Sequence, residues 1–196
     1  LYAKHNLATY LTELGCVDEA RAMLPELYNL YRSFGERFMV IRLCWLEAMI
    51  LERVGEVDAA VERYVEVRNF FAEQRISYDV ALVSLDLAAL YLECGSTAAA
   101  KDLAASLVPL FEAHQIHREA SMALAMFCRA VKREEATVAL AHDVAGFLKR
   151  ARGRPELALD RAEGQRDVGG RALLDQLADR GRAVDRQAVV VDHPRG

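Results

Sequence analysis

Few side chains in this sequence have the types and spacing that chemistry requires. His114 and His117 stand three apart, which would put two imidazoles on one helix face as a metal site does, with Glu112 and Glu119 beside them. No cysteine is near in sequence and a helix should be ending there, so we read the pair as a solvated loop and expect no metal. The four cysteines, Cys16, Cys44, Cys94 and Cys128, are far apart and form no CxxC pair. Three lie in apolar runs, so buried, reduced thiols are expected, which suits a cytoplasmic setting. There is no Ser-His-Asp order, no glycine-rich phosphate loop and no paired acid motif. The sequence is thus read as non-enzymatic and free of cofactors. Basic residues do not interleave with aromatics as a nucleic-acid surface requires, and a net charge of −4 is too small to imply nucleic acid or a membrane surface. No apolar run approaches the roughly 20 residues of a membrane span, and no signal peptide opens the chain.

The stronger signal lies in the elements that would position any site. Gly15, Gly55 and Gly95 are forty residues apart, and so are Ala20, Ala60 and Ala100. Ala8, Ala48 and Ala88 keep that interval, as do Leu11, Leu51 and Tyr91. One interval held by several columns marks a repeat array. Each unit reads as a helical hairpin: Tyr2–Leu14 with Asp18–Phe34, then Arg37–Val54 with Val57–Gln74, then a third pair from Asp79 to His114. Gly15 can end the first helix without a Cβ penalty, and Asp18 is placed to cap the second. Pro25 and Pro109 fall inside helices, where a kink is expected. The first helix of the second unit is apolar almost all round and must be covered on most sides, whereas the second carries one apolar stripe, Val57, Ala60, Val61, Tyr64, Val67 and Phe71. A fourth, degraded unit follows, with Phe127 and Cys128 in the places of Leu87 and Ala88 and Glu135 in the place of the glycine. Terminal units of this kind act as caps.

Composition changes near Arg152. Residues 152–196 hold nine arginines, no lysine, no aromatic and six glycines. Such a segment lacks the apolar content to offset its ordering entropy, so a poorly ordered tail is expected. The domain boundaries are therefore 1–151 for the repeats (1–36, 37–76, 77–116 and the cap 117–151) and 152–196 for the tail. Leu1 is not a methionine and already sits in a helical pattern, as expected of a fragment from a longer array.

These residues resemble the tetratricopeptide repeat, in the long-repeat form common in bacteria. Leu7-Ala8, Leu11, Ala20 and Leu24 match its pattern in the first copy, Ala48, Leu51, Ala60 and Tyr64 in the second, and Leu87-Ala88, Tyr91 and Ala100 in the third. The sequence departs in its period of 40 against 34, in lacking the helix-ending proline, in Ala104 replacing an aromatic, and in Trp45 falling one place late. The resemblance implies an all-α, right-handed superhelical solenoid of antiparallel hairpins.

It also implies a function, protein–protein interaction by a scaffold or adaptor that takes a protein or peptide on the inner face of the first helices. Carried over by position, that face holds Tyr2, His5, Asn6, Thr9 and Glu13, then Arg42, Trp45, Met49 and Arg53, then Leu82, Leu85, Asp86, Ala89 and Glu93. Glu13, Arg53, Glu93 and Arg133 share one column and alternate in sign. A ladder of inter-repeat ion pairs accounts for that alternation better than a polar groove floor. Of the Lys and Asn set that clamps a terminal carboxylate in some family members, only Asn6 remains. The alternative reading is the regulatory arm of a bacterial signalling or transcription protein with its effector domain upstream. The many apolar positions of the first helix lead us to expect self-association through the N-terminal hairpin.

Overall fold

A computed structural model describes residues 2–35, 37–113 and 118–152, and every regular element among them is a helix. In order these are α1 (Tyr2–Glu13), α2 (Val17–Ser33), α3 (Arg37–Val54), α4 (Val57–Glu73), α5 (Ser77–Glu93), α6 (Thr97–Ala113), α7 (Arg118–Lys132) and α8 (Val138–Arg152). The all-α class and the hairpin boundaries agree with the sequence reading to within two residues. The predicted metal-like pair His114 and His117, and the predicted tail from residue 153 onward, lie outside the described residues. The chain forms two compact units, Leu1–Leu90 and Tyr91–Gly196.

One turn recurs, and its backbone bonds explain the period. Gly15 takes φ +83°, and past it the Cys16 amide donates to the Leu11 carbonyl at 2.8 Å while the Gly15 amide donates to Thr12 at 3.2 Å. A left-handed residue followed by this six-to-one bond satisfies helix-end carbonyls that would otherwise stay unpaired. Gly55 and Gly95 repeat it, with Glu56 donating to Leu51 at 2.9 Å and Ser96 to Tyr91 at 2.7 Å. Connections so short turn α2 back along α1 and α4 back along α3. In the last unit the left-handed residue is Glu134 (φ 61°), with Glu135 donating to Ala130 at 2.9 Å. This corrects the expectation for Glu135: the turn comes one residue early, and counting back from it puts Phe127, not Cys128, in the place of Ala88.

The cap expected at Asp18 is also corrected. Cys16 is the N-cap of α2 and makes no side-chain cap bond, while Asp18 lies in the first turn, where its negative charge is favourable at the positive end of the helix dipole. Thr137 does cap α8, accepting from the Leu140 amide at 3.1 Å. Pro25 sits inside α2, which continues unbroken to Ser33. The thiols divide as well: Cys44 and Cys128 are buried, but Cys16 and Cys94 are exposed because they flank the turns, and all four are free.

In the first unit the alanine columns form the closest contacts. Ala8, Ala48, Ala20 and Ala60 are completely buried, which lets helix backbones approach each other. Around them Leu24, Leu27, Tyr31, Met39, Leu43, Leu46 and Ile50 make one core cluster. As expected, α3 is buried on most sides and α4 shows one apolar stripe, to which the structure adds Phe70. In the second unit Ala100 and Ala141 hold the alanine place. The core there includes Leu107, Leu124, Phe127, Val144 and Leu148, and the Cys128 thiol donates to the Ala104 carbonyl at 3.4 Å.

Candidate interaction surface

One strip along helix α3 is left partly open by its neighbours, as are Val40, Glu47, Leu51, Glu52 and Val54 elsewhere on the helix. Phe38, Arg42, Trp45 and Met49 are half-buried and Arg53 is exposed, while Met39, Ile41, Leu43, Cys44, Leu46, Ala48 and Ile50 are buried. The strip positions follow a spacing of four, three, four and four, which is one face of a helix. The same columns on α1 hold His5 and Thr9, half-buried, and Asn6 and Glu13, exposed. With Tyr2, which is exposed, nine of the residues expected on an inner face are thus accessible on α1 and α3. On α5 the strip is closed: Leu82, Leu85 and Ala89 are buried, Asp86 is half-buried, and only Glu93 is exposed.

The strip is held in place by bonds from α3 to α5. The Trp45 indole N–H donates to Asp86 Oδ2 at 2.9 Å, and its ring meets Phe71 edge-on at 6.0 Å. Arg42 Nη2 lies 3.4 Å from Oδ1 of Asp79, a carboxylate that is almost fully buried, and its guanidinium stacks over the Phe38 ring at 5.1 Å. Phe38 in turn packs edge-on against Phe71 at 5.7 Å. Burying a polar group without a partner is costly, so Arg42, the cation beside the buried Asp79, serves the fold as well as the surface. Asp79 is the residue that sequence reasoning missed. Its offset of 37 from Arg42, close to the period of 40, was the available signal.

The first hairpin carries a more polar version of the same packing. His5 lies against Tyr31 with ring centroids 5.9 Å apart, and Nδ1 of His5 and the Tyr31 hydroxyl are buried with no hydrogen-bond partner. Burial, with the charge of Arg42 adding to it, holds the His5 imidazole below its ordinary pKa. Thr9 spends its hydroxyl on the His5 carbonyl at 3.0 Å.

Away from this strip a second polar cluster ties α2, α3 and α4 together. The Tyr28 hydroxyl donates to Glu47 Oε2 at 2.7 Å and lies 3.5 Å from the Cys44 sulfur, while Arg63 Nε is 3.0 Å from the same carboxylate oxygen. Burial first, and the Glu47 hydrogen bond second, push the Tyr28 phenol well above its usual range. Every polar group here has a protein partner, which marks a structural tie rather than a reactive centre. The expected ladder is not formed at its first step, for neither Glu13 nor Arg53 makes an ion pair among the described residues. Arg133 instead lies 4.0 Å from Glu135, on its own turn.

Among the described residues no group of three or more His, Cys, Asp or Glu is placed to hold a metal ion, and no helix is long and apolar enough to cross a membrane. No family model matches the chain, and neither a curated protein nor a solved structure matches it.

Proposed function

We propose that this chain is a protein-interaction module that takes a segment of a partner protein along the open strips of α1 and α3. The observation that carries this reading is the strip itself: Trp45 and Met49 keep accessible apolar surface, with Arg42 and Arg53 on the same face of the helix. Aromatic, methionine and arginine side chains on a rigid support are what protein interfaces favour. The bonds from Trp45 to Asp86 and from Arg42 to Asp79 fix those side chains before a partner arrives, which lowers the entropy lost on binding. The forty-residue hairpins and their resemblance to tetratricopeptide repeats support the same conclusion, with the strips on the inner face of a right-handed solenoid. A cytoplasmic scaffold or adaptor fits it.

The test uses the two strip residues whose replacement disturbs no internal bond described above. In capture from a lysate of the native host, Met49→Glu combined with Arg53→Glu should lose the partner retained by the wild type, with helicity and Tm unchanged. Undiminished capture would remove this strip from consideration.

A further inference from the structure

A different face of α1 carries apolar side chains that the fold does not use. Tyr10 is 63% exposed, Leu14 77% and Leu7 50%, and Ala3 is exposed on the same stripe. Forty residues on, the places of Ala3 and Tyr10 are filled by Leu43 and Ile50, at 0% and 1%. A further forty on, Val83, Leu87 and Leu90 fill the places of Ala3, Leu7 and Tyr10, and all three are buried. The Ala3 and Tyr10 columns are apolar and buried on both α3 and α5, whereas Leu7 has Glu47 as its counterpart on α3, and the Leu14 column stays exposed at Val54 and Cys94.

The repeats themselves show what covers these columns. On α3 it is α2, whose Leu24, Leu27 and Tyr31 share a core cluster with Leu43 and Ile50. A polar contact accompanies this packing and recurs one repeat later. Tyr28 of α2 reaches Cys44 at 3.5 Å, and Arg68 of α4, forty residues after Tyr28, reaches Ser84 at 2.9 Å, forty after Cys44. The residue in that column on α1 is Lys4, which is exposed and pairs on its other side with Glu26 of its own hairpin. The face therefore combines an apolar stripe shaped for one amphipathic helix with a cation at the place where that helix presents its polar residue.

We propose that the face formed by Ala3, Leu7, Tyr10 and Leu14 docks an amphipathic helix of a protein partner that has the apolar spacing of α4 and an acidic residue where α4 has Arg68. The α4 pattern is the better guide because Leu7 corresponds to Leu87 on α5, the helix that Arg68 of α4 reaches, whereas α3 has Glu47 there. A second copy of the chain is a poorer occupant. Its α2 and α4 already bury their apolar stripes internally. Pairing α1 with α1 would cover on the order of 400 Å² per copy, about half of what a standard specific interface covers.

The test titrates labelled helical peptides, stapled on their polar face, into the full chain and reads fluorescence anisotropy. One peptide has the 17-residue α4 sequence Val57–Glu73, and the other has Arg68→Glu. The Arg68→Glu peptide should bind about fivefold tighter, the worth of one exposed ion pair. Lys4→Glu in the chain should reverse that order. Tyr10→Glu with Leu14→Glu should weaken both peptides at least about tenfold while the melting curve stays in place, since both side chains are mostly in solvent. The proposal is overturned if neither peptide binds, or if binding survives the double variant. It is overturned equally if light scattering shows a dimer of the chain that the double variant dissolves, which would put a second copy on this face. None of these readings depends on the α1–α3 strip, which the Met49→Glu and Arg53→Glu variant addresses.

Discussion

His5 and Tyr31 pack with their ring centroids 5.9 Å apart, and Trp45 and Phe71, each forty residues later, pack at 6.0 Å. The two pairs are the same contact written in different chemistry. In the second hairpin it is an apolar contact whose indole N–H is satisfied by Asp86, whereas the first leaves an imidazole nitrogen and a phenol hydroxyl buried without a partner.

Acidification should therefore loosen the first unit. The His5 pKa is lowered in the folded chain by burial and by Arg42, relative to an ordinary value of 6.5. An unfolded chain then binds more protons than a folded one below that value. The stability contributed by the neutral imidazole is fully present above pH 6.5 and is lost as pH falls toward the lower folded pKa. Urea melts between pH 7.5 and 5 should show it, and His5→Phe, which imitates the Trp45–Phe71 pair, should flatten the profile. An unchanged slope in the variant would rule out His5 as the source.

Removing the cation over Asp79 should be felt in the fold. Arg42→Ala should cost about 1–2 kcal/mol, because a carboxylate that is 99% shielded loses a charged partner at 3.4 Å. A double-mutant cycle with Asp79→Asn should give a coupling of at least about 0.5 kcal/mol. Additive effects would mean that Arg42 acts only through its stacking on Phe38.

The left-handed turn residues should respond in opposite directions to one change of chemistry. Gly55 has φ +80° and open space where a Cβ would project, so Gly55→Ala should cost about 1 kcal/mol from backbone strain alone. Arg75 adopts φ 57° with a side chain exposed to water, and Arg75→Gly should stabilise by up to about 1 kcal/mol. Chemical denaturation of both variants checks the pair, and a loss at Arg75→Gly would show that its side chain matters more than its φ.

Ala48 tests the closest helix contact. It is completely buried in the column that Ala8 and Ala88 share. Adding two methyl groups should force the helices apart and cost about 1–3 kcal/mol, so Ala48→Val should lower Tm while Ala22→Val, at an exposed helix site, should cost under about 1 kcal/mol. Equal effects would mean that the column is loosely packed.

Much of the architecture was legible because it is written as a period. A turn that needs a left-handed residue takes glycine, and a close helix contact takes alanine, so Gly55 and Ala48 reveal themselves in sequence alone. The fourth turn escaped because a strict count of forty pointed to Glu135. The cap gave no guide either, for Thr137 lies three residues past Glu134 whereas Cys16 and Glu56 follow their glycines directly. The resemblance singled out Arg42, Trp45, Met49 and Arg53 on α3, but not the bonds that anchor them. Several acids could have answered Arg42 and Trp45, and charge sign alone does not select Asp79 and Asp86. The closed strip on α5 was beyond reach as well, since Leu85 and Met49 look equally available until burial is known.

The division of the cysteines has a practical consequence. Cys16 belongs to the first unit and Cys94 to the second, both in contact with water, while Cys44 and Cys128 are enclosed, with burial raising the Cys128 thiol to about 11. A maleimide dye needs an accessible thiol, so the wild-type chain should take one label in each unit, more slowly at Cys16, whose thiol pKa the Glu19 carboxylate raises. A donor and acceptor placed there would form a built-in spectroscopic ruler that reads one distance, with and without a partner, and needs no added residue.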